Sequence, residues 1–410
     1  NIQKAWERVK ANKGAAGIDG MTIAAFPAFA HQHLPRLLDQ IRDGRYKPAA
    51  VRRVWIPKPN GEKRPLGIPT VLDRVIQQAV AQILAPIFDV GFSEQSYGFR
   101  QGRQAQAAVE HIRKHSEQGY RWGVDCDLKS YFDTVNHDLL MHRIGKQVRD
   151  KPVLRLIGKY LRAGVRHESG KTEKTTKGVP QGGPLSPLLA NIMLDPLDKL
   201  IESIDLPFAR YADDFLIVAK TKPEALAAMR QVEAFVECQL RLRVNRDKSK
   251  VAPLKECAFL GFNIIGKQVR RTDNAAHRFK QRIREITARS KGISMSQRLV
   301  ELTRYCTGWF HYFKQGLRYA EILQWDQWIR RRVRMCYWKQ WKLPRKRRRM
   351  LIQLGVDPDK VKLASRSRKA YWRLSNNSLV QAALGDVYLK SQGVPSLRNL
   401  WVDFKFGDKA

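Results

Sequence analysis

The stretch Phe208-Ala209-Arg210-Tyr211-Ala212-Asp213-Asp214-Phe215-Leu216-Ile217-Val218-Ala219 is an apolar run broken by two adjacent aspartates. Its flanks are rich in strand formers, and Asp tolerates the backbone angles of a tight turn. The stretch therefore predicts a β-hairpin with the acidic pair at its tip. Two carboxylates side by side repel unless one takes a proton or a cation lies between them. Mg2+ suits such a place, because it prefers oxygen ligands and keeps positions open for phosphates. Taken alone, the pair suits equally a plain turn that uses Asp for its geometry.

A second acidic segment lies upstream. Gly123-Val124-Asp125-Cys126-Asp127-Leu128 reads as a strand with Asp125 and Asp127 on one face, and it runs on into Lys129-Ser130-Tyr131-Phe132-Asp133. By itself Asp127 is an ordinary strand-end or cap residue. A carboxylate at the end of one strand, facing an Asp pair on a neighbouring hairpin, is what two-metal phosphoryl transfer requires.

Composition points to a polyanionic partner. Lys plus Arg is 76 against 38 for Asp plus Glu, a formal net charge of +38 over 410 residues. Counterion release drives such a chain onto phosphates without any reading of sequence. No apolar run of transmembrane length and no signal segment is evident, so nucleic acid is expected rather than a membrane. With 43% hydrophobic residues the chain can bury real cores, and its length predicts two or three domains. Cys126, Cys238, Cys257, Cys306 and Cys336 stand singly, without zinc-ligand spacing. Their odd, dispersed count argues against a disulfide framework and for a reducing, cytoplasmic setting. The chain begins at Asn1 rather than Met, so its extreme N-terminus is expected to lie outside this sequence.

Residues 1 to about 50 predict two helices around a glycine-punctuated loop. Next come an extended stretch, Val51 to Ile56, and a hairpin turn from Pro57 to Pro65 with cations on both arms. Thr70 with Asp73 predicts a capping box for a helix whose core face is Leu72, Val75, Ile76, Ala79, Val80, Ile83, Leu84 and Ile87. In the loop Gly178-Val179-Pro180-Gln181-Gly182-Gly183-Pro184-Leu185-Ser186-Pro187, Ser186 is expected to cap a helix and Pro187 to take its first turn. After the aspartate hairpin, Pro223 is expected to open a helix running to about Leu240. From about residue 275 the chain turns helical, basic and aromatic, with Arg330-Arg331-Arg332 and the run Arg345-Lys346-Arg347-Arg348-Arg349. There the aromatics are expected to pack a bundle while cations such as Arg330, Arg331, Arg345, Arg347 and Arg348 meet phosphate.

Ordered blocks run through the whole chain: Ile56-Pro57-Lys58-Pro59 with Arg64-Pro65-Leu66-Gly67-Ile68-Pro69; Ser96-Tyr97-Gly98-Phe99-Arg100; Asp127 to Asp133; Pro180-Gln181-Gly182; Tyr211 to Asp214; Asn245 with Lys248-Ser249; and Phe259-Leu260-Gly261-Phe262. In this order they resemble the reverse transcriptase and maturase proteins of group II introns and their domesticated relatives. The resemblance implies an α+β right-hand polymerase. Its parts would be an N-terminal, template-gripping extension (1–50), fingers and palm (51–275), and a helical thumb with a maturase-type RNA-binding domain (276–410).

The same resemblance assigns roles. Asp127, Asp213 and Asp214 would be the metal and catalytic carboxylates, for Mg2+ with Mn2+ able to substitute, and Asp125 a neighbour rather than a ligand. Phe132 would close the sugar pocket against a 2′ hydroxyl, although it also reads as an ordinary core phenylalanine. Lys58 and Arg64 would grip the incoming triphosphate, as a point charge and a planar guanidinium can. Gln181 would lie in the loop under the templating pair, Lys248 would protonate the leaving pyrophosphate, and Arg100 would meet nucleic acid. The implied partners are an RNA template, a DNA or RNA primer, deoxynucleotides and structured intron RNA, in a bacterial cytoplasm. No Cys/His-rich segment follows the maturase-like region, so a member without the DNA endonuclease domain is expected.

The leading expectation is an RNA-directed DNA polymerase that also assists intron splicing and retrohoming. A host DNA-repair polymerase would keep the same motifs. A splicing cofactor using the fold only as scaffold would tolerate lost aspartates, whereas these are intact.

Overall fold

The computed structural model describes residues 1–57 and 61–407. The chain divides into two compact units, Asn1–Leu260 and Gly261–Ala410.

In the first unit, α1 (Ile2–Ala11) and α2 (Phe26–Arg42) precede a hairpin of β1 (Val51–Pro57) and β2 (Lys63–Ile68). Then come α3 (Val71–Asp89), α4 (Ala105–Glu117), β3 (Trp122–Cys126), α5 (Tyr131–Thr134), α6 (His137–Gln147) and α7 (Lys151–Leu161). Two short strands, β4 (Val165–Arg166) and β5 (Thr172–Glu173), lead to α8 (Ser186–Ser203). The unit continues with β6 (Phe208–Tyr211), β7 (Asp214–Ala219), α9 (Lys222–Cys238), β8 (Lys250–Pro253) and β9 (Ala258–Phe259).

An antiparallel sheet in the order β6-β7-β3-β8 forms the palm. Along β3, Val124 and Cys126 are buried while Asp125 and Asp127 lie half-buried on the other face, the period-2 alternation expected of a strand with one core side. The buried side meets α8 and α9 in one large core containing Met193, Leu197, Phe208, Phe215 and Val232. The second sheet, β2-β1-β4-β5, is the fingers element. The N-terminal segment packs as part of this unit: Ala5 and Val9 of α1 join Val71, Val75 and Ala79 of α3 in a separate apolar cluster.

Four local expectations are corrected. On α3 the core stripe holds for Val75, Ile76, Ala79 and Leu84, but Ile83 and Ile87 are about half exposed. Toward the C-terminal end of the helix the buried face is Ala81, Leu84 and Phe88, which join the large palm core. Asp73 does not close a capping box back onto the helix start. Its buried carboxylate accepts from the Thr70 hydroxyl, the Tyr46 hydroxyl and the Ala49 amide. Ser186 is the first residue of α8 rather than its cap, and its hydroxyl donates to the Pro180 carbonyl at 2.6 Å, tying the loop before the helix to its start. By length and composition α3 is also apolar enough to cross a membrane (mean hydropathy 1.2), where the sequence showed no such run. Since 56% of that window is buried inside the protein, it is a core helix.

The second unit begins at Gly261, earlier than the break expected near residue 275. The hairpin β10 (Phe262–Ile265) and β11 (Gln268–Arg271) belongs to it, because Phe262 packs on Tyr312 and Phe313. Helices α10 (Asp273–Ile286), α11 (Met295–Phe313), α12 (Tyr319–Gln340) and α13 (Pro344–Gln353) follow, with five shorter or similar helices from Pro358 to Phe406. Phe279 is fully buried between Tyr305, Trp309 and Trp325, so the aromatics pack the interior as expected.

Candidate active site

The acidic pair sits at the tip of the β6–β7 hairpin. Tyr211 pairs with Asp214, leaving Ala212 and Asp213 as a two-residue turn, and Ala212 takes the left-handed conformation (φ 61°) at its first position. Cys126 pairs with Phe215. Asp127 follows Cys126 as Asp214 precedes Phe215, so antiparallel register brings both carboxylates to the same end of the sheet.

The loop after Val244 holds Asp127 in place. Asn245 donates its side-chain amide to the Asp127 carboxylate at 2.7 Å, and its backbone N–H donates to the Asp127 carbonyl at 2.8 Å. The Asp127 N–H donates to the Ser249 hydroxyl at 3.0 Å. Asn245 and Ser249 stood in a recognised block, but their role as the partners that orient Asp127 was not read from the sequence. Lys248 is exposed on this loop, away from the cavity described next.

A cavity of about 620 Å3 is lined by Arg64, Phe132, Gln181, Gly182, Asp213 and Asp214, together with Asn12 and Gly14 of the N-terminal segment. Phe132 and Gln181 also line a second cavity of about 390 Å3 that reaches Trp55 and Lys177. They thus form a shared wall. Gln181 is positioned by its carbonyl, which accepts from Gly67 N at 2.8 Å. The next residue, Gly182, has φ 121°, and a Cβ there would stand 2.7 Å from the Gly67 carbonyl oxygen, so only glycine lets the loop lie this close to β2. Lys58 falls outside the described residues.

The electrostatics are those of acidic side chains crowded together at one end of a sheet. Asp214 is reachable by water but set among protein and other acids. Loss of hydration, followed by the charges of Asp125, Asp213 and Asp127, pushes its carboxyl up to about 7. Burial also raises Asp213, opposed in part by the positive charges of Arg64 and Arg210. Asp125 is raised by burial and by Asp127, against the pull of Lys250. Asp125 is therefore an electrostatic neighbour of the other carboxylates. The donor set is all carboxylate oxygen, which suits a hard divalent cation. As the side chains stand, among the described residues no three His, Cys, Asp or Glu groups are gathered within metal-holding reach.

Two expected nucleic-acid contacts are internal instead. Arg100 is buried; it pairs with Asp89 at 2.6 Å and donates to the carbonyls of Asp89, Ser93 and Ser96. Arg347 is buried over the Trp338 ring and donates Nε to the Trp341 carbonyl. Neither guanidinium is available to phosphate. Arg330 is paired with Asp326 and Asp386, and Arg331 lies 4.0 Å over the Trp372 ring, so these two are partly engaged. Arg345 and Arg348 are exposed.

An antiparallel palm sheet with carboxylates at one end, facing a cavity walled by an arginine, an aromatic ring and a glutamine loop, defines a site of the polymerase class. Residues 56–264 match the reverse transcriptase (RNA-dependent DNA polymerase) family, and residues 276–353 match the group II intron maturase-specific domain. Protein YkfC of Escherichia coli (strain K12) is 34% identical over 300 residues, covering 63% of this chain and 78% of that protein. The group II intron-encoded protein LtrA of Lactococcus lactis subsp. cremoris is 39% identical over 207 residues, covering 50% of this chain and 34% of that one. The putative COX1/OXI3 intron 1 protein of Saccharomyces cerevisiae is 34% identical over 201 residues, covering 49% and 24% respectively. The chain thus spans most of YkfC but only a minor part of the other two. It belongs to the reverse transcriptase family, in the branch that carries a group II intron maturase-specific domain.

Proposed function

We propose that this chain extends a primer 3′ end with deoxynucleotides copied from an RNA template, and that its second unit holds structured intron RNA to assist splicing and retrohoming. The observation that carries the reading is the cavity in which Arg64, Phe132, Gln181, Asp213 and Asp214 meet, with Asp127 fixed at the same sheet end.

Asp127, Asp213 and Asp214 would hold Mg2+ or Mn2+. Bound there, the cation supplies Lewis-acid activation of the 3′ hydroxyl and charge neutralisation at the triphosphate. The remaining work belongs to the chain. Asn245 keeps the Asp127 carboxylate aimed. Arg64, whose positive charge acts on Asp213 and whose side chain lines the same cavity, would present a guanidinium to the polyphosphate. The half-buried Phe132 ring, set edge-on to Tyr131 in the cavity wall, would stand against a 2′ hydroxyl and so favour deoxynucleotides. Lys248 would protonate the leaving pyrophosphate from the exposed loop that also carries Asn245 and Ser249. A reducing, cytoplasmic setting belongs to the same reading and is supported by five free cysteines, four of them buried.

Primer extension on RNA and DNA templates, with deoxy- and ribonucleotides in parallel, tests this. Extension on RNA with deoxynucleotides is expected. RNA binding without extension on either template would leave only the scaffold role.

A further inference from the structure

Arg210 precedes the acidic turn by two residues and is completely buried. An arginine has five N–H donors in a fixed planar fork, and in Arg210 each one is matched. Nε and Nη2 donate to the two carboxylate oxygens of Asp198 at 2.6 and 2.5 Å. Nη2 donates again to the Ser96 hydroxyl at 2.9 Å, and Nη1 donates to Asn191 Oδ1 and to the Ala212 carbonyl, each at 2.9 Å. The backbone is tied as well: Arg210 N donates to the Gln95 carbonyl and Tyr97 N donates to the Arg210 carbonyl, so residues 95–97 run along the outer edge of β6.

Continuing along the same edge, Gly98 packs against the start of the turn. A Cβ at this position would stand 2.2 Å from Ala212 N, and the Gly98 carbonyl accepts from Asn191 Nδ2 at 2.8 Å. Ala212, the residue in left-handed conformation, is therefore held at its carbonyl by Arg210, while the Gly98 backbone packs so closely against the Tyr211–Ala212 peptide that no side chain fits between them. A fully desolvated ion pair is a poor source of stability, because well-packed apolar side chains of similar size usually do as well. What this one supplies is direction: five bonds fix one rotamer of one side chain, and that side chain fixes the peptide leading into Asp213.

We propose that Arg210, with Asp198, Asn191 and Ser96, is a positioning cluster that sets where Asp213 presents its oxygens to a divalent cation. It touches neither substrate nor metal. The inference rests on the polymerase reading above and adds to it the residues that aim the metal-binding turn. None of the four lines the catalytic cavity, so loss of the cluster should weaken metal binding and slow the chemical step while leaving primer–template affinity unchanged.

The test uses Ser96→Ala and Asn191→Ala, which remove one and two bonds at the cluster, beside Arg210→Lys, which cannot replace five donors. Mn2+ binding to the protein–primer–template complex is followed by EPR, alongside Mg2+ titrations of extension and thermal melts. Expected for Asn191→Ala and Arg210→Lys is a roughly 10–100-fold loss of Mn2+ affinity, in the range found when partners of metal ligands are removed. The Mg2+ requirement should rise in parallel and KM for primer–template stay at the wild-type value. Ser96→Ala should shift in the same direction by less. If variants that fold and bind primer–template keep wild-type Mn2+ affinity and only melt earlier, the cluster is structural and the inference is overturned. Should Arg210→Lys fail to fold, Ser96→Ala and Asn191→Ala still decide. Absence of extension by the wild-type protein would instead overturn the polymerase reading, independently of the Mn2+ result.

Discussion

Asp213 and Asp214 are adjacent yet meet different surroundings. Asp213 occupies the turn, answered by the positive charges of Arg64 and Arg210, whereas Asp214 faces Asp125, Asp213 and Asp127. Asp213→Ala should therefore remove extension outright. Asn245→Ala leaves all the carboxylates in place but frees Asp127 to turn, so kcat should fall roughly 10–100-fold in single-turnover extension. An unchanged rate would mean that the 2.7 Å amide contact is incidental. Phe132→Ala should admit ribonucleotides, read as incorporation of ribonucleotide in place of its deoxy counterpart. Continued exclusion would assign the ring to the core that it also borders.

Helix α8 links the palm core to the catalytic turn through Asn191 and Asp198, and it carries a third polar residue with another consequence. Asp195 is half-buried, and burial followed by the neighbouring Asp198 charge pushes its carboxyl up to about 6. The folded state then holds this proton more tightly than the unfolded chain does between about pH 4 and pH 6. More protons bound in the folded state means that this group's contribution to stability falls as pH rises through that window. Asp195→Asn, neutral at every pH, should flatten this part of the stability profile and melt higher than wild type above pH 6. Parallel profiles for the two proteins would show that Asp195 is solvated. In the second unit, Phe279→Ala should cost about 3–5 kcal/mol in denaturant unfolding, because it empties the centre of the aromatic core. These elements were legible from sequence where periodicity and turn chemistry act locally: the Asp hairpin, the β3 alternation and the opening of α9 at Pro223 all follow from neighbouring residues. The Arg210–Asp198 pair, the Asn245–Asp127 contact and the internal roles of Arg100 and Arg347 depend on residues brought together by the fold, and a cation in the sequence looks alike whether it ends in solvent or in the core.

At the scale of the whole chain, the proposed function has the +38 charge set how tightly a polyanion would be held and the carboxylate end of the palm set what would be done to it. The exposed cations of α13, Arg345, Lys346, Arg348 and Arg349, are the ones to neutralise, since Arg347 faces inward. Changing those four to Gln should make the log–log salt dependence of RNA binding shallower by about one unit for each phosphate that is no longer neutralised. The same slope in both proteins would mark the run as a solvated face. Single-turnover extension on an RNA template by wild type and Asp213→Ala, with RNA affinity measured on the same samples, separates the part played by charge from the part played by the carboxylates. The account predicts extension by wild type, none by the variant, and equal RNA affinity for both; substantial extension by Asp213→Ala would contradict it.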